Sequence, residues 1–171
     1  RRASSGLLVL AIAATGLWYG NPAWQHESIS SMAHAQQRVT LSDGSIAVLD
    51  RDTRLSVTWR LRSRDIQMEQ GRAYFDVSHS AWRPFQVQAG TVQVRVLGTR
   101  FEVEHKPDTV AVIVEQGRVQ VRDQAHHPDI LRVLQADQRL LVDAAGMGQI
   151  ETVQADTLLA WQRGQLLIND L

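Results

Sequence analysis

Few side chains in this 171-residue sequence belong to the types that most often perform chemistry. It contains no cysteine, which excludes disulfides, thiolate catalysis and cysteine-ligated metal or iron–sulfur sites. Of its six histidines, only His126 and His127 are adjacent, and they precede Pro128. Neighbouring residues of an extended segment point to opposite sides, so this pair predicts an exposed turn and no metal site.

One serine-rich segment also invites a catalytic interpretation. Asp43 lies between Ser42 and Ser45, but Asp43-Gly44 is first of all a hairpin turn signal, and no histidine is placed to activate a serine. The sequence has no glycine-rich phosphate loop, no nucleophile elbow and no paired-histidine zinc motif. We therefore predict that the protein is not an enzyme and needs no cofactor or metal.

Charge and arginine spacing argue against nucleic acid as a partner. Lysine and arginine number 18, as do aspartate and glutamate, so the chain has no overall attraction for a polyanion. Arg60, Arg62 and Arg64 alternate with the apolar Trp59 and Leu61, which is typical of a solvated strand face.

The most apolar segment stands at the N-terminus. Residues Ala3 to Tyr19 carry no charge, follow Arg1 and Arg2, and end in an aromatic pair. As a helix this run measures about 25 Å, close to the ~30 Å of a bilayer core. Flanking arginines and interfacial aromatics favour a single transmembrane helix over residues 1–20, with the remainder of the chain outside the cytoplasm.

Two other interpretations of this segment remain open. It could be a cleaved signal peptide, since Ala33-His34-Ala35 has the small-x-small form of a cleavage site, although it lies far beyond the apolar run. It could also be a buried core helix. Asn21-Pro22 ends the helix, and residues 21–37 are rich in Ser, His and Gln, which predicts a polar linker.

From Arg38 onward the apolar residues recur at every second position. This period predicts half-buried strands, and we expect an all-β domain over residues 38–154. The apolar positions of the predicted strands include Val39, Leu41, Leu55, Val57, Trp59, Ala73, Phe75, Val77, Val92, Val94, Val96, Val110, Val112, Val114, Val119, Val121, Leu140 and Val142.

A repeated unit of a glycine followed by a strand runs through this domain. Its structural turn residues, spaced 27, 27 and 19 apart, are Gly44, Gly71, Gly98 and Gly117. Glycine adopts positive φ freely, as hairpin turns require. Loosely periodic hairpins predict either a jelly-roll-like sandwich or a twisted β-solenoid, and the sequence does not choose between them.

The C-terminal residues change character again. A short helix is predicted around Ala155 to Trp161, followed by the apolar run Leu166, Leu167 and Ile168. We interpret residues 155–171 as the start of a truncated C-terminal subdomain. Trp161 and the apolar run after it are our candidate partner-binding residues, because an unpaired strand can add to a partner's sheet.

Five motifs in a fixed order resemble the FecR family over about residues 38–171. They are Leu41-x-Asp43-Gly44-Ser45, Gly71-x-Ala73-x-Phe75-x-Val77, Arg83-Pro84-Phe85-x-Val87, Val96-Leu97-Gly98-Thr99-x-Phe101-x-Val103 and Val112-x-Val114-x-x-Gly117-x-Val119-x-Val121. Members of this family are single-pass inner-membrane sensors and anti-sigma regulators of iron–siderophore uptake in Gram-negative bacteria.

The resemblance implies both a function and partners. A periplasmic domain would contact the signalling domain of a TonB-dependent outer-membrane receptor, while a cytoplasmic domain, which this sequence does not include, would hold an extracytoplasmic-function sigma factor. The alternative is a membrane-anchored envelope-binding or structural module with no sigma partner. A hydrolase on a β-sandwich ranks third, because no acid–base pair supports it.

Overall fold

The computed structural model describes residues 2–32 and 34–164. Its elements, in chain order, are α1 (Arg2–Gly20), β1 (Ala23–Ser30), β2 (Gln37–Thr40), β3 (Ile46–Leu49), β4 (Arg54–Arg60), β5 (Arg64–Asp76), β6 (Phe85–Ala89), β7 (Val92–Val96), β8 (Arg100–His105), β9 (Val110–Gln116), β10 (Arg118–Asp123), β11 (His127–Gln135), β12 (Gln138–Asp143), β13 (Gly146–Thr152), α2 (Ala155–Leu158) and a 3₁₀ helix (Ala160–Arg163).

The described strands form one 13-stranded sheet that curls into a nearly closed barrel. Its main path runs β11-β10-β7-β6-β5-β8-β9-β12-β13, with β1 and β4 joined on one side and β2 and β3 on the other. The 13-residue β5 belongs to both halves. Its first part pairs with β4 and, in parallel, with β6, and its second part pairs with β3 and β8.

The core lies between the two halves of the curled sheet. Strict alternation places one side of each strand inside, as in β7, where Val92, Val94 and Val96 are buried. Phe75 on β5 contacts Phe85 across the interior with ring centroids 5.5 Å apart in an edge-to-face arrangement. Aromatic pairs of this geometry stabilise beyond the area that they bury, so this contact ties the two halves together.

The all-β prediction is confirmed, and the jelly-roll arrangement is not. The strands form one continuous ladder through β5 rather than two separate sheets. Gly71 does not form a hairpin turn, because it lies within β5 at φ 97°, beside the irregularity where β4 stops pairing regularly with that strand. At this point β5 passes from one half of the sheet to the other.

The segment predicted as a polar linker contains a strand. Residues 23–30 form β1, which pairs antiparallel with β4 from Ala23↔Arg60 to Ser30↔Arg54. Most β1 side chains are exposed, so the strand has no apolar alternation for the sequence to reveal. It forms because β4 offers an open edge, and backbone pairing on an edge does not require buried side chains.

The N-terminal segment forms α1, with its described apolar side chains exposed. Leu7 and Leu10 are 70% and 68% exposed. This exposure is not that of a helix buried in a protein core. In the part of the chain that the structure describes, no helix meets the length and hydropathy needed to cross a membrane.

Candidate functional site

The C-terminal helices pack against the outer face of the sheet, and we call residues 155–163 the C-terminal cap. A second apolar cluster forms there, separate from the core, where Val48, Tyr74 and Ile113 meet Ala155 and Leu159 of the cap. These three sheet residues point away from the interior, so their burial depends on the cap. Removing the cap would expose that cluster to water.

Trp161 fastens the cap to charged residues of the sheet. Its indole Nε1 donates a hydrogen bond to Oε2 of Glu102 on β8. The Arg72 guanidinium lies 4.5 Å from the centre of the indole ring and also forms an ion pair with Asp50. The half-buried Trp161 side chain is therefore held by two contacts, the stacking with Arg72 and the hydrogen bond to Glu102.

Glu102 is a buried acid on the outer face of the sheet. Glu102 is 4% exposed, and burial raises the pKa of its carboxyl group to about 7. The hydrogen bond from Trp161 and the charge of Arg72 act in the opposite direction and lower the pKa in part. The carboxyl group therefore changes charge near neutral pH directly beneath the cap.

A second set of contacts holds the other side of the cap. The Tyr74 hydroxyl donates to Oε2 of Glu115, and Nη1 of Arg163 lies 3.8 Å from Oε1 of the same carboxylate. Burial and the neighbouring Glu115 raise the pKa of Tyr74, so this phenol stays protonated as the donor. Arg163 also bonds Asp156 of the cap at 2.9 Å.

The end of α1 is fixed to the turn between β4 and β5, and we call this contact the helix junction. Asn21 has φ 43°, a left-handed conformation that asparagine tolerates. Its Oδ1 accepts the backbone N–H of Arg62 at 2.7 Å, and its Nδ2 donates to Oγ of Ser63 at 3.1 Å. The N–H of Leu61 donates to the carbonyl of Pro22 at 3.2 Å. The orientation of α1 is thus coupled to the sheet.

Arginines and tryptophans surround the helix junction. The Arg62 guanidinium lies 5.2 Å from the Trp18 ring, and that of Arg83 lies 4.7 Å and 5.6 Å from the rings of Trp24 and Trp82. Trp24 and Trp82 remain more than half exposed. Stacked cation–π pairs on an open surface reinforce the junction and leave aromatic faces available for contacts.

The residues that suggested catalysis at Asp43 instead hold a buried arginine. Arg64, 2% exposed, donates from Nη1 to Oδ2 of Asp43 at 2.6 Å and to the carbonyl of Ser78 at 2.8 Å. Asp43 also accepts the N–H and the hydroxyl of Ser45. The carboxylate is occupied by structural hydrogen bonds, which explains the Asp-Gly-Ser motif without catalysis.

The histidines form no metal-binding group in the described residues. His126 Nδ1 lies 2.7 Å from Oδ2 of the buried Asp123. Burial raises the pKa of this carboxyl group, but hydrogen bonds from the Ala125 N–H, His126 and Thr91 outweigh it and lower the pKa overall. This cluster closes the end of the β10–β11 hairpin.

The structure places the predicted site residues in different surroundings. Trp161 lies in the cap, while Leu166, Leu167 and Ile168 lie outside the described residues. Gly44 and Gly117 have φ 83° and 91° in the connections before β3 and β10. A Cβ at Gly98 would stand 2.7 Å from the His79 backbone, so that glycine permits a close approach rather than a left-handed turn.

Sequence reasoning missed Glu102, Arg72 and Asn21. The first two alternate with core residues on strands, which indicates only an outward-facing side chain. Their burial or stacking arises from a cap that lies far along the chain. The sequence marks Asn21 only as a helix terminator, and its hydrogen bonds to the β4–β5 turn have no local signal.

The family model described as FecR protein matches residues 27–120. Two crystal structures, each of a "putative anti-sigma factor" from Parabacteroides distasonis, superpose with a TM-score of 0.73 at 26% and 27% identity. The matches cover 83% and 82% of this chain and 67% and 66% of those chains, so it spans about two thirds of their length. No curated protein matches the sequence.

Proposed function

Because this chain belongs to the FecR family, whose model matches residues 27–120, we propose that it regulates a sigma factor by relaying a signal across the bacterial envelope. The two similar crystal structures, whose names describe anti-sigma factors, support the same role. In this proposal the β domain receives the signal through protein contacts, and α1 carries it onward.

The helix junction is the observation that carries this proposal. A relay needs a rigid connection between the domain that senses and the element that transmits, since a flexible link would average out any change of orientation. Asn21 supplies that connection through two side-chain hydrogen bonds to the turn between β4 and β5. The long β5 then continues from this turn to the strands beneath the C-terminal cap.

Sequence and exposure support a place for the protein in the inner membrane. The described side chains of α1 expose apolar residues to the surroundings, and Trp18 and Tyr19 stand at its end, where aromatic side chains favour the lipid–water interface. We assign α1 to the membrane as a single pass, with the β domain in the periplasm. A cytoplasmic domain before Arg1 would then hold the sigma factor.

The proposed input is the periplasmic signalling domain of a TonB-dependent siderophore receptor. Trp161 and the apolar residues Leu166, Leu167 and Ile168 are the contact that we propose for it. Trp161 already attaches the cap to the sheet, so a partner that binds Trp161 would compete with its contacts to Glu102 and Arg72. Receptor contact would thus loosen the cap.

A reporter assay in the native host tests this function. Transcription from sigma-factor-dependent promoters is measured with the gene deleted, intact, and carrying Asn21→Ala. We expect deletion to change at least one such promoter, and Asn21→Ala to fix its output at one level with and without siderophore. Gln25→Ala, an exposed change on β1, serves as the control and should respond as the intact gene does.

Two results would contradict the proposal. If deletion altered no sigma-dependent promoter, the envelope-binding module would be the better interpretation. If Asn21→Ala responded to siderophore as the intact protein does, at equal protein level by immunoblot, the junction would not transmit the signal. Protein level is measured in every strain, because loss of folding would imitate loss of regulation.

A further inference from the structure

One edge of the curled sheet carries an unusual combination of open backbone, apolar side chains and positive charge. In the described residues four strands pair on one side only: β1, β2, β11 and β13. At nine residues β11 is the longest of them. It holds three of the large apolar side chains that are more than 40% exposed, namely Ile130, Leu131 and Val133.

The backbone of β11 presents hydrogen-bonding groups at its free edge. The N–H of Gln135 donates to the Gln138 side chain instead of to β10, so it points away from the paired side. Along an antiparallel strand the N–H and C=O groups of every second residue face the same edge. The N–H and C=O of Val133 and Leu131 therefore point outward, ready to pair with an added strand.

The outer face behind this edge is positively charged. Leu134 of β11 is buried, so Leu131 and Val133 face outward, where they stand opposite Arg122 and Gln120 of β10. Gln120 in turn stands opposite Arg95 of β7. Arg118 of β10 lies on the same outer face, opposite Gln135 of β11.

Carboxylates are few around these arginines. Asp123 is buried and bonded to Thr91 and His126, which leaves Asp129 as the exposed carboxylate on the three strands β7, β10 and β11. Among the described residues, no ion pair involves Arg95, Arg118 or Arg122. The face therefore complements a negatively charged segment.

We propose that the free edge of β11 binds an acidic, extended segment of a partner protein, which adds one strand to the sheet. Backbone pairing with Leu131 and Val133 supplies the docking geometry. Because side chains alternate between the two faces of a strand, carboxylates at every second position of the added strand share the outer face with the arginines of β10 and β7. The apolar side chains between them share the face of the exposed Ile130. This binding site stands independently of sigma-factor regulation and of the C-terminal cap.

Peptide binding to the full chain in a mild non-ionic detergent tests this site. The probe is a fluorescently labelled nine-residue peptide of alternating valine and glutamate, blocked at both ends, and its counterpart has lysine in place of glutamate. Anisotropy titration should show saturable binding of the glutamate peptide and binding of the lysine peptide that is weaker by about tenfold or more. Added salt should weaken the binding of the glutamate peptide.

Two pairs of variants locate the site on β11. Val133→Pro removes one outward N–H from an edge strand, where proline is tolerated, and should weaken binding by about tenfold, whereas Val133→Thr keeps that N–H and should stay within about threefold. Arg122→Ala should weaken binding of the glutamate peptide, while Arg38→Ala on edge strand β2 should not. Circular dichroism checks that each variant is folded.

Three results would overturn the proposal. The first is that the glutamate and lysine peptides bind equally well, or that neither of them binds. The second is unchanged binding by folded Val133→Pro, which would place the peptide on another edge. The third is self-association of the chain that Val133→Pro abolishes, which would make a second copy the occupant of this edge.

Discussion

The indole of Trp161 donates a hydrogen bond to the carboxyl group of Glu102, a buried residue that lies 59 positions earlier in the chain. Because Glu102 titrates near neutral pH, this contact makes the attachment of the C-terminal cap depend on pH. The cap is also the last described element before the apolar residues that we propose as a partner contact.

Replacing Glu102 with glutamine should alter how stability depends on pH. In the unfolded chain this carboxyl group loses its proton near its ordinary value of 4.5, whereas the folded group keeps it until about pH 7. Its contribution to stability is therefore greatest below pH 4.5 and falls as the pH rises to 7. Relative to wild type, Glu102→Gln should gain on the order of 3 kcal/mol between pH 4.5 and pH 8.

Chemical denaturation at a series of pH values measures this effect. Glu151→Gln, on the exposed edge strand β13, removes one carboxylate outside the cap and should leave the wild-type slope intact. Parallel pH profiles for Glu102→Gln and wild type would show that burial does not control this group.

Truncating Trp161 should loosen the cap. Trp161→Ala removes the stacking on Arg72 and leaves the Glu102 carboxyl group without its indole donor, so the free energy of unfolding should drop by about 2 kcal/mol. Hydrogen exchange of the cap amides should accelerate more than that of the core strands. Trp82→Ala, at a tryptophan that is 64% exposed, should change stability by less than about 0.5 kcal/mol. Equal losses from both variants would argue against the cap contact.

Breaking the interior ion pair should be costly. Asp43→Asn leaves the buried Arg64 guanidinium without its counter-charge and should lower the free energy of unfolding by about 3 kcal/mol. The partly exposed pair of Arg60 and Asp65 offers a matched control, since Asp65→Asn should cost less than about 1 kcal/mol. Urea titration of both variants measures the two losses in the free energy of unfolding. Similar unfolding midpoints would contradict the expected difference.

A side chain at Gly71 should strain β5. The Cβ of Gly71→Ala would stand 2.6 Å from the Thr53 Cα, at a residue whose φ is 97°. We expect a loss of at least about 2 kcal/mol in thermal unfolding. Gly44→Ala has a similar φ of 83°, but its Cβ would meet only Oγ of Ser78 at 3.4 Å, so it should cost about 1 kcal/mol. Equal losses would mean that the close approach to Thr53 relaxes without penalty.

The strands could be predicted because their signal is local. Val119 and Val121 alternate with polar residues within one short segment, and that period alone specifies a half-buried strand. β1 gives no such signal, since its side chains are mostly exposed and it forms by pairing with the open edge of β4. The role of Gly71 was misjudged for a related reason, since a glycine before a strand and a glycine within a long bent strand have the same neighbours in sequence.

The candidate site was predicted less completely than the fold. Trp161 stood out as a tryptophan near the end of the chain, but its contact with Glu102 joins segments that no local pattern connects. The hydrogen bonds of Asn21 similarly join the end of a helix to a turn about 40 residues away. Such contacts follow from topology, and the topology depends on how β5 divides between two halves of the sheet.

The double membership of β5 also has a mechanical consequence. The helix junction holds the start of this strand, and the C-terminal cap rests over its end, so a pull between the two would load β5 along its own length. Its hydrogen bonds to β3, β4, β6 and β8 would then resist in shear, many at once, rather than opening one after another. The cap contacts are far fewer, and under tension they would yield first while the sheet stayed intact.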